Sequence, residues 1–368
     1  MEGATELDYR DMIFLYGIKQ INGERTISGL FHLLSGKKSS QTVQDGKLFH
    51  LSHLFGTFQG YKYASFNEKI LQYEQKSWVN IEDHQYAKLT PVGFDLLKDK
   101  MEMTPIPVGI DGWRYGDIST IFWRRFTLFI QTLSHLLAGD KGFYPIQNEP
   151  EVLMWVRKHF PKTPRARYII AKQIHTELSS LLKRLEFTNK ESDMIVLSLS
   201  RYQRVGKTIQ QIAEMYEMDS VECQFHYQAA IHQMMNELIK DKQSYLYRFI
   251  ADIYQDNTLT ESTRKTFDLI SSGYTIEEVA KVRNLKASTI EDHIVELSIH
   301  VKGFQITPYI NLQDQRRIID ISTQLQTRKL KDIKTALNDA TSYFQIRLTL
   351  AKQSDQNDMN KGADVIVD

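Results

Sequence analysis

The chain has 368 residues, 42% of them hydrophobic and 25% charged, the make-up of an ordinary globular protein of about two or three domains. Its 46 Lys and Arg nearly cancel its 45 Asp and Glu, so no molecule-wide field draws it to a polyanion and any basic surface is local. The one cysteine, Cys223, excludes an intramolecular disulfide and a multi-cysteine zinc site.

A reducing cytoplasm fits that cysteine usage, and the opening MEGATELDYRDM lacks the pattern of a secretory signal. The most apolar long run, Ile118 to Leu137, is interrupted by Arg124, Arg125, Gln131, Ser134 and His135, so it reads as a buried helix and not as a membrane span. The expected setting is cytoplasmic, with no membrane partner.

Leu7 to Ile21 and Thr26 to Leu34 carry apolar residues at three- and four-residue spacing, with Asn22-Gly23 as the break and Thr26 as an N-cap. Further helices are predicted over Gln41 to Phe55 and Phe66 to Gln75. The period then changes to two: Trp78, Val79 and Ile81, then Tyr86, Ala87 and Leu89, form a hairpin around the polar turn Glu82 to Gln85. Thr90 caps a helix that has Pro91 in its first turn, where a missing N–H costs nothing. Helices, hairpin and helix predict a winged-helix-like domain over residues 1–100, the alternative being a plain helical domain with an incidental hairpin.

Residues 101–117, with two prolines and three glycines, are the best linker. A helical middle domain over 101–257 follows, with Pro161 and Pro164 punctuating a loop before helices over Arg165 to Leu185 and Lys190 to Tyr202. Sliding the chain on itself by 67 residues lays Thr208-Ile209 on Thr275-Ile276, Ala213 on Ala280, Met218 on Leu285 and His226 on His293. Either the middle domain holds a first helix-turn-helix copy, or two amphipathic helices match at a few positions. In the second copy Gly273 ends one helix, Thr275 caps the next, Asn284-Leu285 turn, and Ser288 or Thr289 starts the recognition helix. A helix-turn-helix domain is therefore predicted over 258–352, with a polar flexible tail over 353–368. The fold class is mainly α.

The run TRKTFDLISSGYTIEEVAKVRNLKASTIEDHIVEL, Thr263 to Leu297, resembles the helix-turn-helix domain at the C-terminus of some bacterial RecQ-type helicases, and Thr327 to Ala351 is similar to the closing segment of that domain. Length and layout, with FWRRFTLFIQTLSHLL at Phe122 to Leu137, resemble the YpbB-type proteins of Gram-positive bacteria, whose genes adjoin one for a RecQ-like helicase. The resemblance implies an accessory protein that acts with a RecQ-like helicase in DNA repair or recombination, with DNA as a second, optional partner.

The recognition helix is unusual for a base reader. From Thr275 to Glu296 the formal charge is −2, with Glu277, Glu278, Glu291, Asp292 and Glu296 against Lys281, Arg283 and Lys286. Helical spacing turns Ile290, Ile294 and Leu297 inward and leaves Glu291 and Asp292 near the exposed face, where they repel phosphates. The expected role is a partner-binding surface of Lys286, Ser288, Glu291, Asp292 and Glu296. Cationic density lies instead in RKHFPKTPRAR, where Arg157, Lys158, Lys162, Arg165 and Arg167 are the DNA-binding candidates and Trp155 and Phe160 the stacking surfaces. The same run also reads as a solvated loop and helix start. RYQRVGK, Arg201 to Lys207, adds to the patch if the helices fold back.

No catalytic signature emerges. RVGKT at Arg204 to Thr208 lacks the earlier glycine of a phosphate loop, that position being Arg201. His50 and His53 have no further ligand at suitable spacing, so packing is expected and no metal or cofactor is implied. His226, His293 and Cys223 read as packing residues. The expectation is a non-catalytic adaptor. The alternative is a stand-alone helix-turn-helix transcriptional regulator that dimerises on a palindrome; an enzyme on a small ligand, needing a deep polar pocket, is the third class.

Overall fold

The computed structural model describes residues 7–185, 189–255, 259–338 and 340–363, with the backbone alone described at Asn189 and after Gln353. In chain order, α1 (Tyr9–Ile21) ends where Asn22 and Gly23 turn left-handed, and Thr26 accepts from the Gly29 N–H to start α2 (Ile27–Leu34). Next come α3 (Ser40–Leu48) and α4 (Tyr63–Gln75). The helix predicted to reach Phe55 stops at Leu48 because His50 takes a left-handed φ of 54°, and a short 3-10 turn replaces its last part.

The hairpin β1 (Val79–Glu82) and β2 (Tyr86–Leu89) is antiparallel, with Val79 opposite Leu89 and Glu82 opposite Tyr86. Its turn is fastened to α2 by the Ile27 N–H donating to the Gln85 carbonyl at 2.8 Å. Thr90 then caps α5 (Pro91–Met103), accepting from the Gly93 N–H at 3.1 Å. Gly93 sits so close to the strand entry that a Cβ there would lie 2.0 Å from the Trp78 carbonyl oxygen.

The rest is helical: α6 (Gly112–Leu137), α7 (Pro150–His159), α8 (Pro164–Arg184), α9 (Asn189–Leu197), α10 (Ile209–Met215) and α11 (Ser220–Lys240). They are followed by α12 (Glu261–Ser271), α13 (Ile276–Arg283), α14 (Ala287–His300), α15 (Leu312–Gln324), α16 (Leu330–Ala336) and α17 (Tyr343–Ala363). The protein is thus mainly helical, with a small N-terminal hairpin and a C-terminal helix-turn-helix region. The helix predicted to reach Tyr202 ends at Leu197, and a tight turn over Arg201–Arg204 takes its place. Helix α17 runs past Lys352 into the segment expected to be a flexible tail; residues 364–368 of that segment lie outside the described residues.

By contact the chain forms two compact units, Met1–Phe14 with Asp95–Gln255, and Leu15–Phe94 with Asp256–Asp368. In the first, α6 supplies Phe122, Phe126 and Phe129 to the core, and Phe249 meets Phe126 and Phe129 edge-on at 5.4 and 5.2 Å. Arg125, which argued against a membrane span, is 8% exposed and forms a two-pronged pair with Asp252 at 2.6 and 3.0 Å, its guanidinium lying over Trp155. In the second unit α14 is central, packed against α12, α13, α17 and α3. Among the described residues no helix is long and apolar enough to cross a membrane.

Candidate functional site

The C-terminal three-helix module is built by local chemistry. Gly273, at φ 90°, lets the chain leave α12, and Thr275 opens α13 with a reciprocal capping box. There the Thr275 N–H donates to Glu278 Oε2 at 2.8 Å and the Glu278 N–H to Thr275 Oγ1 at 3.3 Å. Asn284, left-handed at φ 51°, makes the turn, and α14 begins at Ala287, one or two residues before the expected start at Ser288 or Thr289. Ile290, Ile294 and Leu297 are fully buried, as their spacing predicts.

The other face of α14 departs from the expectation. All seven residues from His293 to Ile299 are buried, because α3 and α17 cover the side that a free-standing module would expose. Glu296, expected on a partner surface, is 3% exposed and accepts hydrogen bonds from Thr263 Oγ1 at 2.7 Å and from the Thr260 backbone and hydroxyl. Asp292 is half-buried and takes a 2.6 Å hydrogen bond from Arg347 Nη1, while Arg347 Nε donates to Gln44 Oε1 at 2.8 Å. This chain of contacts clips α14, α17 and α3 together. Glu291 is half-buried too, and burial first, then the charge of Asp292, raises its carboxyl above the ordinary range.

Of the three cations in this stretch Arg283 is committed inward, while Lys281 and Lys286 are exposed. Arg283 Nη1 donates to the Ser262 carbonyl at 2.7 Å, and Nη2 to Ser262 Oγ at 3.1 Å. His293 pairs its Nδ1 with Thr266 Oγ1 at 2.8 Å, and burial, then the nearby Arg283, pushes it down to about 4. Most of the formal −2 is therefore spent on caps and internal pairs. Outward at the turn, with Lys281, Asn284 and Ala287, stand Val282 at 62% exposure, Lys286 and Ser288.

The middle segment repeats this construction 67 residues earlier. Thr208 and Gln211 form the matching capping box, and Glu217 turns left-handed at φ 50° where the second copy has Asn284. The Met218 N–H reaches the Ala213 carbonyl at 3.0 Å, as the Leu285 N–H reaches that of Ala280 at 2.9 Å. Cys223 fills the buried position of Ile290, its thiol pushed up to about 11 by burial, and His226 bonds Glu191 on α9 as His293 bonds Thr266 on α12.

The basic run straddles α7 and α8. Arg157, Lys158, Lys162 and Arg165 are exposed. Arg167 is half-buried and braces the interhelical turn, Nε donating to the Pro161 carbonyl at 3.1 Å and Nη2 to that of Lys162 at 3.0 Å. Trp155, expected as a stacking surface, is 8% exposed, sandwiched between Arg125 and the His159 ring; the helical period that places Val152 and Val156 inward carries it into the core. Phe160 is half-buried under Arg167.

Gly206 has a packing reason: a Cβ there would lie 2.2 Å from the Ser198 carbonyl oxygen. His53 is half-buried, and desolvation pushes it down to about 4. Among the described residues there is no cluster of three or more His, Cys, Asp or Glu able to hold a metal.

A capped helix, a tight left-handed turn and a second helix crossing the first define a helix-turn-helix protein, and residues 262–350 match the helix-turn-helix domain family. Over 354 residues the chain is 34% identical to Protein YpbB of Bacillus subtilis (strain 168), covering 96% of this chain and 99% of the relative. It belongs to the YpbB family. No solved structure matches it.

Proposed function

We propose that this chain is a non-catalytic accessory protein that works beside a RecQ-like DNA helicase in DNA repair or recombination. In this reading the helix-turn-helix module contacts the helicase, and Arg157, Lys158, Lys162 and Arg165 contact DNA phosphates, with Arg167 holding their turn in place. The burial of α14 carries the reading. Over the last two turns of α14 every residue from His293 to Ile299 is buried, with α3 and α17 packed against it. Only its first turn and the turn before it can therefore meet a partner, and the acids beside them, Glu291 and Asp292, disfavour phosphates. The contact is made through Val282, Lys286 and Ser288 with Glu291 at the margin. Asp292 and Glu296 serve this surface from inside, by fixing the helix that carries it.

The test is co-purification of the full chain with the RecQ-like helicase, comparing wild type with a Val282→Glu, Ser288→Glu double variant. Retained wild-type binding that the double variant loses by tenfold or more supports the reading; equal binding by both defeats it. In parallel, neutralising Arg157, Lys158, Lys162 and Arg165 is expected to lower the salt slope of DNA binding by roughly 0.9 for each phosphate that is no longer neutralised. Selection from random duplexes that returned a defined half-site would establish the stand-alone transcriptional regulator instead.

A further inference from the structure

Three helices of the first unit, α6, α8 and α9, leave an open cleft of about 450 Å³ between them. Its walls are aliphatic: Ile130 and Leu137 from α6, Leu178 and Leu182 from α8, Val196 from α9, and Leu199 just beyond. Two of these show apolar surface to solvent, Val196 at 48% and Leu137 at 43% exposure. At the rim stand Arg201 and Arg204.

These arginines are held on a built clip. Arg201 and Arg204 exchange backbone hydrogen bonds at 2.8 and 2.9 Å around Gln203, which is left-handed at φ 60°. The clip is anchored to α6 by the Tyr202 N–H donating to Ser134 Oγ at 3.0 Å, and to the end of α9 by Lys207 N–H on the Leu197 carbonyl at 2.8 Å. The closeness of Gly206 to Ser198 allows that second anchor. On the far side of the clip the same two arginines line a second cleft of about 340 Å³, beside Tyr144 at 90% and Val205 at 83% exposure. Apolar surface therefore runs on both sides of a pair of exposed cations carried on an anchored backbone turn.

The charges are unbalanced. No Asp or Glu lines the first cleft. In the second, Asp140 is taken up by His135 Nδ1 at 2.7 Å and the Gly142 N–H at 2.9 Å. Among the described residues neither Arg201 nor Arg204 has an acidic partner.

We propose that this double cleft is a docking groove for an acidic peptide segment of a partner protein, with bulky apolar side chains filling the clefts and carboxylates on Arg201 and Arg204. Branched aliphatic walls suit Leu, Ile or Phe anchors, and the larger cleft has no Phe, Tyr or Trp of the kind that grips a nucleic-acid strand. Phe143 and Tyr144 stand only in the smaller one, which is why competition by oligothymidylate is part of the test. A clip that is already ordered spends little conformational entropy on binding. The groove stands apart from the helicase reading and does not depend on it.

The experiment is selection of peptides from a random 12-residue display library against the full chain, followed by anisotropy titration of the enriched peptides. Expected are sequences that combine several Asp or Glu with two or more bulky apolar residues, binding at least tenfold more weakly to an Arg201→Glu, Arg204→Glu variant and resisting competition by oligothymidylate. Val196→Asp, at an exposed position, is expected to weaken them comparably and supplies the answer if the arginine variant misfolds. The proposal is overturned if no peptide enriches, if enriched peptides lack acids, if both variants bind as wild type, or if oligothymidylate displaces the peptide stoichiometrically.

Discussion

At the scale of single residues, charge is used here mostly to hold the protein together. Glu296 on α14 is the sharpest case, since its carboxylate takes three hydrogen bonds from Thr260 and Thr263 in the interior. Glu296→Ala strands those donors, and chemical denaturation is expected to show a loss of about 2–3 kcal/mol. His232 is another. Burial pushes it down to about 4, and its Nδ1 accepts from the Asp111 N–H at 3.1 Å. Between that value and its ordinary 6.5, the unfolded chain binds the proton that the folded chain refuses. Its contribution is therefore complete above the unfolded pKa and shrinks as pH falls toward the folded one, by about 2 kcal/mol at pH 5. His232→Leu removes this dependence. The stability gap between wild type and variant, followed by urea denaturation, is expected to move by about that amount in favour of the variant from pH 7 to pH 5.

At the scale of elements, the two helix-turn-helix copies show how little is needed to specify the motif. Thr with Gln or Glu three residues on opens the first helix, and one left-handed residue makes the turn, Glu217 in one copy and Asn284 in the other. Asparagine tolerates that conformation better than glutamate, so the second copy carries less backbone strain. Removing either cap, Thr208→Ala or Thr275→Ala, is expected to cost about 1 kcal/mol, measured as a shift in the unfolding midpoint. The Thr26, Thr90 and Thr275 caps and the hairpin were legible because each depends on residues only a few positions apart. The end of α3 at Leu48 was not, since a histidine rather than a glycine takes the left-handed position at residue 50.

At the scale of the molecule, the decisive fact is which segments share a core. Helix α3 packs on α14 and α17, and Arg25–Asp45, Arg328 on the Leu48 carbonyl and Arg347 on Gln44 add polar ties within that unit. A fragment beginning near residue 258 has the whole matched helix-turn-helix region but lacks α3. It is expected to expose the apolar face of α14 and to aggregate, whereas co-expression with residues 15–94 should restore a soluble complex, read by size-exclusion chromatography. A soluble, monomeric fragment with native-like melting would show instead that α3 is dispensable.

The sequence by itself determined the mainly helical class, the hairpin, the presence of a C-terminal helix-turn-helix module and the inward row of Ile290, Ile294 and Leu297, because periodicity, caps and turns are short-range properties of the chain. Only the tertiary structure decided that Glu296 and Trp155 are interior, that Asp292 belongs to Arg347, and that Arg201 and Arg204 flank an apolar cleft. Each of those outcomes depends on a partner dozens or hundreds of residues away, brought close by packing, and no local pattern encodes which distant helix will cover a given face.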